Sequence, residues 1–287
     1  MNTMNMSRTN STVIEASQLT KNYVLGKDNE LPALKAVDLS IQRGEFVAVM
    51  GASGSGKSTL LYNICGMDRM SSGRVLFNGV ELSRLPEPAL ARIRLTNMGF
   101  IFQQIHLLKN LSIFDNIVLS GYLCGNRTRR EVEQRAAELM EQTGITEIAG
   151  NDITQASGGQ LQRVGICRAL INKPDIIFGD EPTGALNSKA SGEIMDLLGG
   201  VHREGTTVML VTHDVKVASR TERVLFMVDG CIVAEKRLGA WPTDENGSDG
   251  GGSSADGSDG GVAGVGANAD GKAREAELAQ WLIELGF

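Results

Sequence analysis

The sequence of 287 residues lacks any run of about 18 or more apolar residues, so no segment reads as a membrane-spanning helix. Its first residues, 1–11, are polar and contain no apolar stretch typical of a secretory signal. It also lacks a block of lysine and arginine, which argues against nucleic acid as the principal partner. We therefore expect a protein that stays in the cytoplasm and does not act on nucleic acid.

Cysteine and histidine are scarce, and the four cysteines show neither CxxC nor Cys/His spacing. These cysteines are Cys65, Cys124, Cys167 and Cys231. We expect reduced, mostly buried thiols rather than a metal site. Of the three histidines, only His213 closes an apolar, strand-like run, so surface or structural roles are expected for His106 and His202.

Charge and glycine are unevenly distributed toward the end of the chain. Residues 243–271 carry the whole formal net charge of −6 and contain no lysine or arginine. Because this glycine- and serine-rich segment has hardly any large apolar residue, we expect a flexible linker there. Residues 272–287 are helix-prone and amphipathic, and could dock on their own domain, on a partner or at a membrane edge. The apolar face consists of Leu278, Trp281, Leu282 and Leu285.

Directly after the apolar stretch Phe46–Met50, the chain fills every position of the phosphate-binding pattern GxxxxGK[ST]. The glycines let backbone N–H groups turn toward phosphates, Lys57 supplies a positive charge, and the Ser58 hydroxyl can ligate Mg²⁺. The helix that follows directs its N-terminus at the anion. This loop therefore predicts a nucleoside triphosphate site. Its predicted contact residues are Gly51, Ser53, Gly54, Ser55, Gly56, Lys57, Ser58 and Thr59.

A second apolar run ends in two adjacent carboxylates, Asp180 and Glu181. A fully buried parallel strand has this pattern and presents its last residues where open α/β sheets bind ligands. Taken alone, the pair also fits a plain turn that caps a strand. Together with the phosphate loop, it predicts that Asp180 holds Mg²⁺ and that Glu181 polarises the attacking water.

Between these two motifs, residues 157–163 read SGGQLQR, which resembles the signature of ATP-binding cassette (ABC) proteins. The resemblance covers nearly all of residues 12–242. It implies an α/β fold of the P-loop NTPase, ABC type: a mixed sheet with a parallel nucleotide-binding core, an antiparallel β subdomain, and a helical subdomain at about residues 104–168. It also implies a head-to-tail homodimer in which each ATP contacts one protomer's phosphate loop and the other's signature. The implied signature contacts are Ser157, Gly158, Gly159 and Gln160.

The resemblance implies three further positions of the nucleotide site. Tyr23 matches the aromatic residue that stacks on adenine, although a lone tyrosine near a strand end is also typical of a core. Gln103 matches the glutamine that contacts Mg²⁺ or the attacking water and links the site to the membrane partner; Gln104 is the alternative. His213 matches the histidine that contacts the γ-phosphate. The implied cofactors are ATP and Mg²⁺, and the implied Mg²⁺ ligands are Ser58, Gln103 and Asp180.

Two positions depart from the family pattern. Ala156 stands where the signature usually opens with leucine, so apolar packing beneath the loop is reduced. Asn187 stands where most relatives carry aspartate, which keeps hydrogen-bonding capacity but removes a charge. We expect hydrolysis to remain, because Glu181 is intact, with weaker coupling between the two ATP sites.

Within the family, residues 44–51, 99–104 and 180–184 resemble the ATP-binding subunits of lipoprotein-release and macrolide or antimicrobial-peptide export permeases. The resemblance implies an ATPase, peripheral on the inner face of the cell membrane, that powers a separate permease in export or mechanotransmission. The permease's coupling segment would dock near residues 103–119. A cell-division ATPase and a nucleotide-sensing regulator with weak hydrolysis are the alternatives.

Local patterns predict the elements around these motifs. Val37, Leu39 and Ile41 alternate with polar residues, as in a half-exposed antiparallel strand. Residues 131–143 have one apolar helical face and end before Gly144. Asp229 and Gly230 form a hairpin signal between two apolar runs. No internal repeat is present, so we expect one nucleotide-binding domain, residues 12–242, after a flexible N-terminal tail, residues 1–11.

Overall fold

The computed structural model describes residues 11–24, 30–241 and 265–287. The first strand begins at Thr12, where the predicted domain begins. The predicted N-terminal tail lies outside the described residues except for residue 11, and so does most of the predicted linker. Within the described parts, no helix combines the length and apolar character needed to cross a membrane.

A six-stranded sheet forms the core of the domain, in the order β10-β9-β3-β8-β7-β6. Strands β3 and β6 to β9 run parallel, whereas β10 pairs antiparallel with β9 through the predicted turn at Asp229 and Gly230. The strands β3 and β8 are buried throughout, as expected for parallel strands covered on both faces. Their bounds are β3 Phe46–Met50, β6 Met98–Phe102, β7 Ile176–Asp180, β8 Thr207–Val211, β9 Arg223–Val228 and β10 Cys231–Arg237.

A separate four-stranded antiparallel sheet packs beside this core, in the order β2-β1-β4-β5. The alternation predicted at Val37, Leu39 and Ile41 is confirmed, because all three are buried and their neighbours Asp38 and Ser40 are exposed. The strand bounds are β1 Thr12–Val24, β2 Glu30–Gln42, β4 Ser72–Phe77 and β5 Val80–Glu81. The buried face of this sheet packs with the first helix against the parallel core.

The helices cover both faces of the parallel sheet. They are α1 Lys57–Ile64, α2 Glu87–Asn97, α3 Ile113–Cys124, α4 Arg129–Gln142, α5 Gly158–Leu170, α6 Ser188–Arg203, α7 Val215–Ala218 and α8 Val265–Glu284, with short 3-10 turns at Leu82–Arg84, Thr146–Ile148 and Ile153–Gln155. Helices α3, α4 and most of α5 fall within the predicted helical lobe. The predicted amphipathic helix is α4, whose N-terminus carries a capping box formed by Thr128 and Glu131.

The last helix begins about two turns before the predicted boundary at Lys272, so the prediction that residues 265–271 belong to a linker is wrong. Once its later turns are anchored, each further residue added to a helix gains a hydrogen bond, which offsets the cost of the glycines. The anchor is Leu278 and Leu282, which are buried against Phe226 and Met50. Of the docking alternatives left open by the sequence, the structure shows the helix on its own domain.

Three of the four cysteines are buried, as predicted, and Cys231 is half-buried. Burial raises the pKa of the Cys65 thiol to about 12 and that of Cys167 to about 11. Neither thiol is therefore in its reactive, ionised form near neutral pH.

Candidate nucleotide-binding site

The phosphate loop connects β3 to α1 and requires glycine where the backbone is most crowded. A Cβ atom on Gly51 would lie 2.2 Å from the carbonyl oxygen of Met227, and one on Gly56 would lie 2.6 Å from that of Ala33. Both residues have positive φ angles, 150° and 99°. Among the described residues, no side chain caps the N-terminus of α1, so the N–H groups of its first turn point at the loop. This geometry suits an anion.

Lys57 is buried at the start of α1, and its Nζ atom donates to the carbonyl oxygens of Gly51 at 2.8 Å and Ala52 at 2.9 Å. Burial lowers the pKa of Lys57, while the nearby carboxylates of Glu181 and Asp180 act in the opposite direction. Both carboxylates are therefore close enough to Lys57 to interact with its charge. A phosphate chain entering this space would add the negative charge that a buried ammonium needs.

Asp180 ends β7 beside the phosphate loop, as the sequence predicts for an acid at the carboxyl end of a parallel strand. Its Oδ1 atom accepts a hydrogen bond from Ser58 Oγ at 2.9 Å, and its Oδ2 atom accepts one from the Tyr62 hydroxyl at 2.7 Å. Sequence reasoning missed Tyr62. The signal was available, because Tyr62 lies four residues after Ser58 and side chains at that spacing share a helix face.

Glu181 follows β7 with a φ angle of 47°, an uncommon conformation for a residue with a side chain. Its N–H donates to Val211 on β8 at 2.9 Å, which holds the strained turn in place. The Oε1 atom of Glu181 lies 2.7 Å from Nδ1 of His213. His213 follows β8 and is 68% exposed, so the carboxylate and the imidazole meet at an open edge of the sheet.

Gln103 follows β6 next to the turn that contains Glu181. A Cβ atom added to Gly184 would lie 3.1 Å from Nε2 of Gln103 and 3.5 Å from Cβ of Glu181. The side chains of Gln103 and Glu181 therefore flank the same glycine. Gln103 is thus adjacent to the acid pair. Gln104 is exposed and makes no side-chain hydrogen bond within the described residues.

Tyr23 lies at the end of β1 and is 36% exposed, so the reading of this residue as core is wrong. Its hydroxyl donates to Asp68 Oδ2 at 3.0 Å, and the Lys21 ammonium lies 4.7 Å from the ring centroid. These contacts fix the ring at the rim of a cavity of about 690 Å³. The cavity is shared with the phosphate loop, Glu181 and His213.

Outside the phosphate loop, four residues of the cavity wall were not predicted from the sequence. They are Leu31, Pro32, Ala33 and Phe287. The first three belong to β2, which pairs with the end of β1 that carries Tyr23. Phe287 follows α8 and reaches the cavity from the far end of the chain. No local pattern indicates any of these contacts, because each depends on how distant segments pack.

The signature residues lie in a different pocket, of about 520 Å³. Ser157 caps the N-terminus of α5, with its Oγ atom accepting from the Gln160 N–H at 3.3 Å and its own N–H donating to Gln160 Oε1 at 2.8 Å. Asn187 lines the same pocket and caps α6 by accepting the Ala190 N–H at 2.9 Å. Ala156 is half-buried and packs against a core cluster to which both helices and strands of the parallel sheet contribute. The structure therefore separates the signature from the phosphate loop of the same chain.

Comparisons with known proteins agree with this architecture. The pattern of the ABC transporter family matches residues 34–184. An uncharacterized ABC transporter ATP-binding protein, YvrO of Bacillus subtilis, is 41% identical over 225 residues, which cover 78% of this chain and 97% of that protein. The macrolide export ATP-binding/permease protein MacB 1 of Aeromonas hydrophila is 46% identical over 73% of this chain. The match covers 32% of MacB 1, so this chain spans about a third of that relative's length.

Solved structures show the same fold. The ATP-binding cassette MJ0796, in a dimeric post-hydrolysis state bound to ADP and phosphate, is 39% identical, with a TM-score of 0.74, and the match covers 78% of this chain and 98% of that one. The cbiO1 protein of Clostridium perfringens, part of the ABC transporter complex cbiONQ, is 28% identical, with a TM-score of 0.71, over 80% of this chain and 90% of that one. The predicted α/β cassette fold is thereby confirmed. The chain belongs to the ABC transporter family, as an ATP-binding cassette that hydrolyses ATP.

Proposed function

We propose that this cassette powers a separate integral membrane permease, in export or mechanotransmission, from the inner face of the cell membrane. The permease is supported by the MacB relatives, which are named as ATP-binding/permease proteins. The observation that carries the dimeric mechanism is the division of the site into two halves on one chain. The phosphate loop, Glu181 and His213 share one cavity, whereas Ser157 and Asn187 line another. Each half needs a second copy to become a complete site.

The signature half is built to bind an anion from another chain. Ser157, Gly158 and Gly159 stand at the N-terminus of α5, where backbone N–H groups converge. Ser157 and Gly158 are exposed. A head-to-tail homodimer would bring this surface against the γ-phosphate of an ATP held by the partner's phosphate loop. ATP binding would then close the dimer, and hydrolysis would remove the shared phosphate and open it.

The catalytic half contains a carboxylate positioned to act on water. His213 Nδ1 lies 2.7 Å from Glu181 Oε1, so the imidazole orients one oxygen of the carboxylate. The other oxygen can accept a proton from a water that attacks the γ-phosphate. Lys57 supplies a positive charge for the β- and γ-phosphates, and Gln103 lies beside the acid pair, where it can contact the same water.

The residues at the end of β7 fit a Mg²⁺ ion. Hydroxyl, carboxylate and amide oxygens are the ligands that this ion prefers, and Ser58 Oγ and Asp180 Oδ1 already lie 2.9 Å apart. Ser58, Asp180 and the adjacent Gln103 would therefore hold it, the aspartate through water. When bound, Mg²⁺ would neutralise phosphate charge.

A groove next to Gln103 offers a docking surface for the permease. It has a volume of about 400 Å³ and is lined by aromatic residues at the end of β6, including Phe100 and Phe102, whose rings stack 6.0 Å apart. Arg168 closes the groove by donating to the carbonyl oxygens of Ile105 at 2.6 Å and His106 at 3.0 Å. We infer that the permease's cytoplasmic coupling segment docks here, near residues 103–119, so that its movement reaches Gln103. The name ATP-binding/permease protein, printed for the MacB relatives, supports a permease as the partner.

The proposal is tested by comparing the parent chain with Glu181→Gln in ATP turnover and in oligomeric state by light scattering. We expect turnover in the parent, and in Glu181→Gln an ATP-dependent dimer with turnover reduced at least about 100-fold. Ser157→Arg should bind ATP and fail to dimerise, because its side chain would block the signature surface. A monomeric Glu181→Gln protein that binds ATP would contradict the two-half site.

The membrane partner is tested separately in cells. Fractionation should place the chain on the membrane when its permease is present and in the soluble fraction when the permease is deleted. Crosslinking from His106, an exposed residue that lines the groove, should capture that permease. Membrane association that survives deletion of every candidate permease would contradict this part of the proposal.

A further inference from the structure

The last helix is firmly attached to the nucleotide-binding core. Leu278 and Leu282 are buried against β3 and β9, and Lys236 pairs with Glu277 at 2.8 Å. Arg274 donates to main-chain carbonyl oxygens of the residues just after β10 and of the turn after α7. These bonds reach Ser219 at 3.0 Å, Thr221 at 2.9 Å and Leu238 at 2.9 Å. The position of the helix end is therefore determined by the domain itself.

The helix terminates in a motif that fixes the residue after it. Gly286 has a φ angle of 84°, its N–H donates to Ile283 at 3.0 Å, and the N–H of Phe287 donates to Leu282 at 3.0 Å. This pair of bonds is a Schellman motif, which turns the chain back and sets an apolar residue against the last turn. Phe287 is the residue so placed.

The ring of Phe287 packs edge-on against Phe226, with ring centroids 5.6 Å apart and an interplanar angle of 84°. Phe226 pairs with Met50, the residue immediately before the phosphate loop. Phe287 is 43% exposed and forms part of the cavity wall together with Tyr23. The cavity has a volume of about 690 Å³ with this ring in its wall, so the ring lines the space and does not fill it.

The strand order shows which part of the site the ring faces. Phe226 is on β9, which neighbours β3 on the side away from β8 and β7, the strands that lead to His213 and Glu181. The turn after β9 contacts β2 instead, where the Lys35 N–H donates to Gly230 at 2.9 Å. Since β2 pairs with the end of β1 at Tyr23, Phe287 lies on the nucleoside side of the phosphate loop.

We propose that Phe287 is a nucleotide-contacting residue that binds the nucleoside part of ATP, as a second aromatic contact in addition to Tyr23. The ligand class is a nucleoside triphosphate, since aromatic rings stack on bases and a phosphate chain offers no such surface. The inference rests on ATP binding at the phosphate loop. It gives α8, which is not part of the predicted catalytic machinery, a direct role in the affinity for nucleotide.

Calorimetric titration of Phe287→Ala with ATP and with inorganic tripolyphosphate, in the full chain, tests the proposal. We expect the Kd for ATP to rise about tenfold and the Kd for tripolyphosphate to stay within about twofold, because only ATP carries a base. Phe287→Tyr keeps the aromatic ring and should retain parental ATP affinity. Ile283→Ala is the matched control, because Ile283 is on the same helix, is 65% exposed and does not line the cavity.

Steady-state kinetics supply a readout that a purely structural role would not give. Phe287→Ala should raise KM for ATP about tenfold and leave kcat within about twofold. The reason is that Glu181 and His213 lie on the opposite side of the phosphate loop from Phe287. An unchanged Kd for ATP, tighter ATP binding, or an equal loss for ATP and tripolyphosphate would each overturn the proposal. Failure of the parent chain to bind ATP, with no difference from Lys57→Ala, would instead overturn the nucleotide site itself.

Discussion

Glu181 and His213 are 32 residues apart in sequence, yet Oε1 of the carboxylate lies 2.7 Å from Nδ1 of the imidazole. The two residues follow neighbouring parallel strands, whose carboxyl ends meet at the same edge of the sheet. Glu181 reaches this position through a backbone conformation with positive φ, and Val211 on the neighbouring strand stabilises it. Backbone strain of this kind occurs at functional sites, where the position of a side chain is maintained at some cost in stability.

His213→Ala should lower kcat for ATP hydrolysis about 100-fold and leave the Kd for ATP within about threefold, because the imidazole orients the Glu181 carboxylate. Turnover and calorimetric titration measure the two quantities. His202→Ala is the control, since His202 pairs with Glu222 at 3.3 Å, away from the nucleotide cavity. Equal losses of kcat in both variants would show a general effect on folding and contradict the assigned role.

Tyr62→Phe should lower the free energy of unfolding by about 1 kcal/mol at pH 7, because it removes the hydroxyl that donates to Asp180. Burial, reinforced by Asp180, raises the pKa of Tyr62 above its ordinary value of 10.0. The folded chain thus holds this proton more tightly than the unfolded chain. The associated stability is present below about pH 10 and is lost as the pH rises further.

Urea denaturation at pH 7 and above pH 10 checks both parts of the Tyr62 prediction. The parent should lose stability over the alkaline range more steeply than Tyr62→Phe. Tyr122→Phe is a suitable comparison, because Tyr122 also donates to a carboxylate, Glu133 at 2.8 Å, but lies in the helical lobe. Identical alkaline slopes in the parent and in Tyr62→Phe would contradict the expected effect.

Asn187→Ala should destabilise the domain by about 1 kcal/mol, because Asn187 Oδ1 accepts the Ala190 N–H at the start of α6. Asn187→Asp should keep this cap, and its charge favours the positive end of the helix. Thermal or urea unfolding measures both. Ser188→Ala changes the adjacent helical residue, which does not cap α6, and should have a smaller effect. A destabilised Asn187→Asp variant would show that the amide nitrogen, not the oxygen, matters.

Thiol labelling of the native chain at pH 8 should modify Cys231 first, since it is half-buried whereas the other three cysteines are buried. Cys65 and Cys167 should react only after unfolding, because burial raises the pKa of both thiols and leaves little thiolate at pH 8. Mass spectrometry identifies the labelled positions, and Cys231→Ser should remove the fast phase. Rapid labelling of Cys65 without loss of structure would contradict the burial of α1.

The elements that sequence patterns predicted well are those whose signals are local. The apolar run before the phosphate loop, the alternation around Leu39 and the hairpin at Gly230 each depend on neighbouring residues or on a short repeat. Strands and turns specified by such local signals form at the same residues whatever the rest of the chain packs against them. The phosphate loop was predictable for a stronger reason, because Gly51 and Gly56 meet backbone atoms too closely for any other residue.

The contacts that were missed all join segments that are distant in sequence or rely on where a helix docks. Phe287 reaches the nucleotide cavity because α8 packs on Phe226 and Met50. The helix begins at Val265, earlier than predicted, because a glycine-rich composition gives no local signal for helix. Its first turns are stabilised by the later turns that pack on the domain.

The sequence by itself determined the chemistry of this protein: a phosphate loop with glycine at its crowded positions, the lysine and the serine hydroxyl that follow the last of these glycines, and two carboxylates at the end of a buried strand. Those features are fixed by steric limits and by the pattern of burial along the chain. Only the tertiary structure decided which distant residues complete the cavity and that the Glu181 carboxylate contacts the His213 imidazole. These outcomes depend on strand order and helix docking, where packing free energy summed over many distant contacts outweighs any local preference.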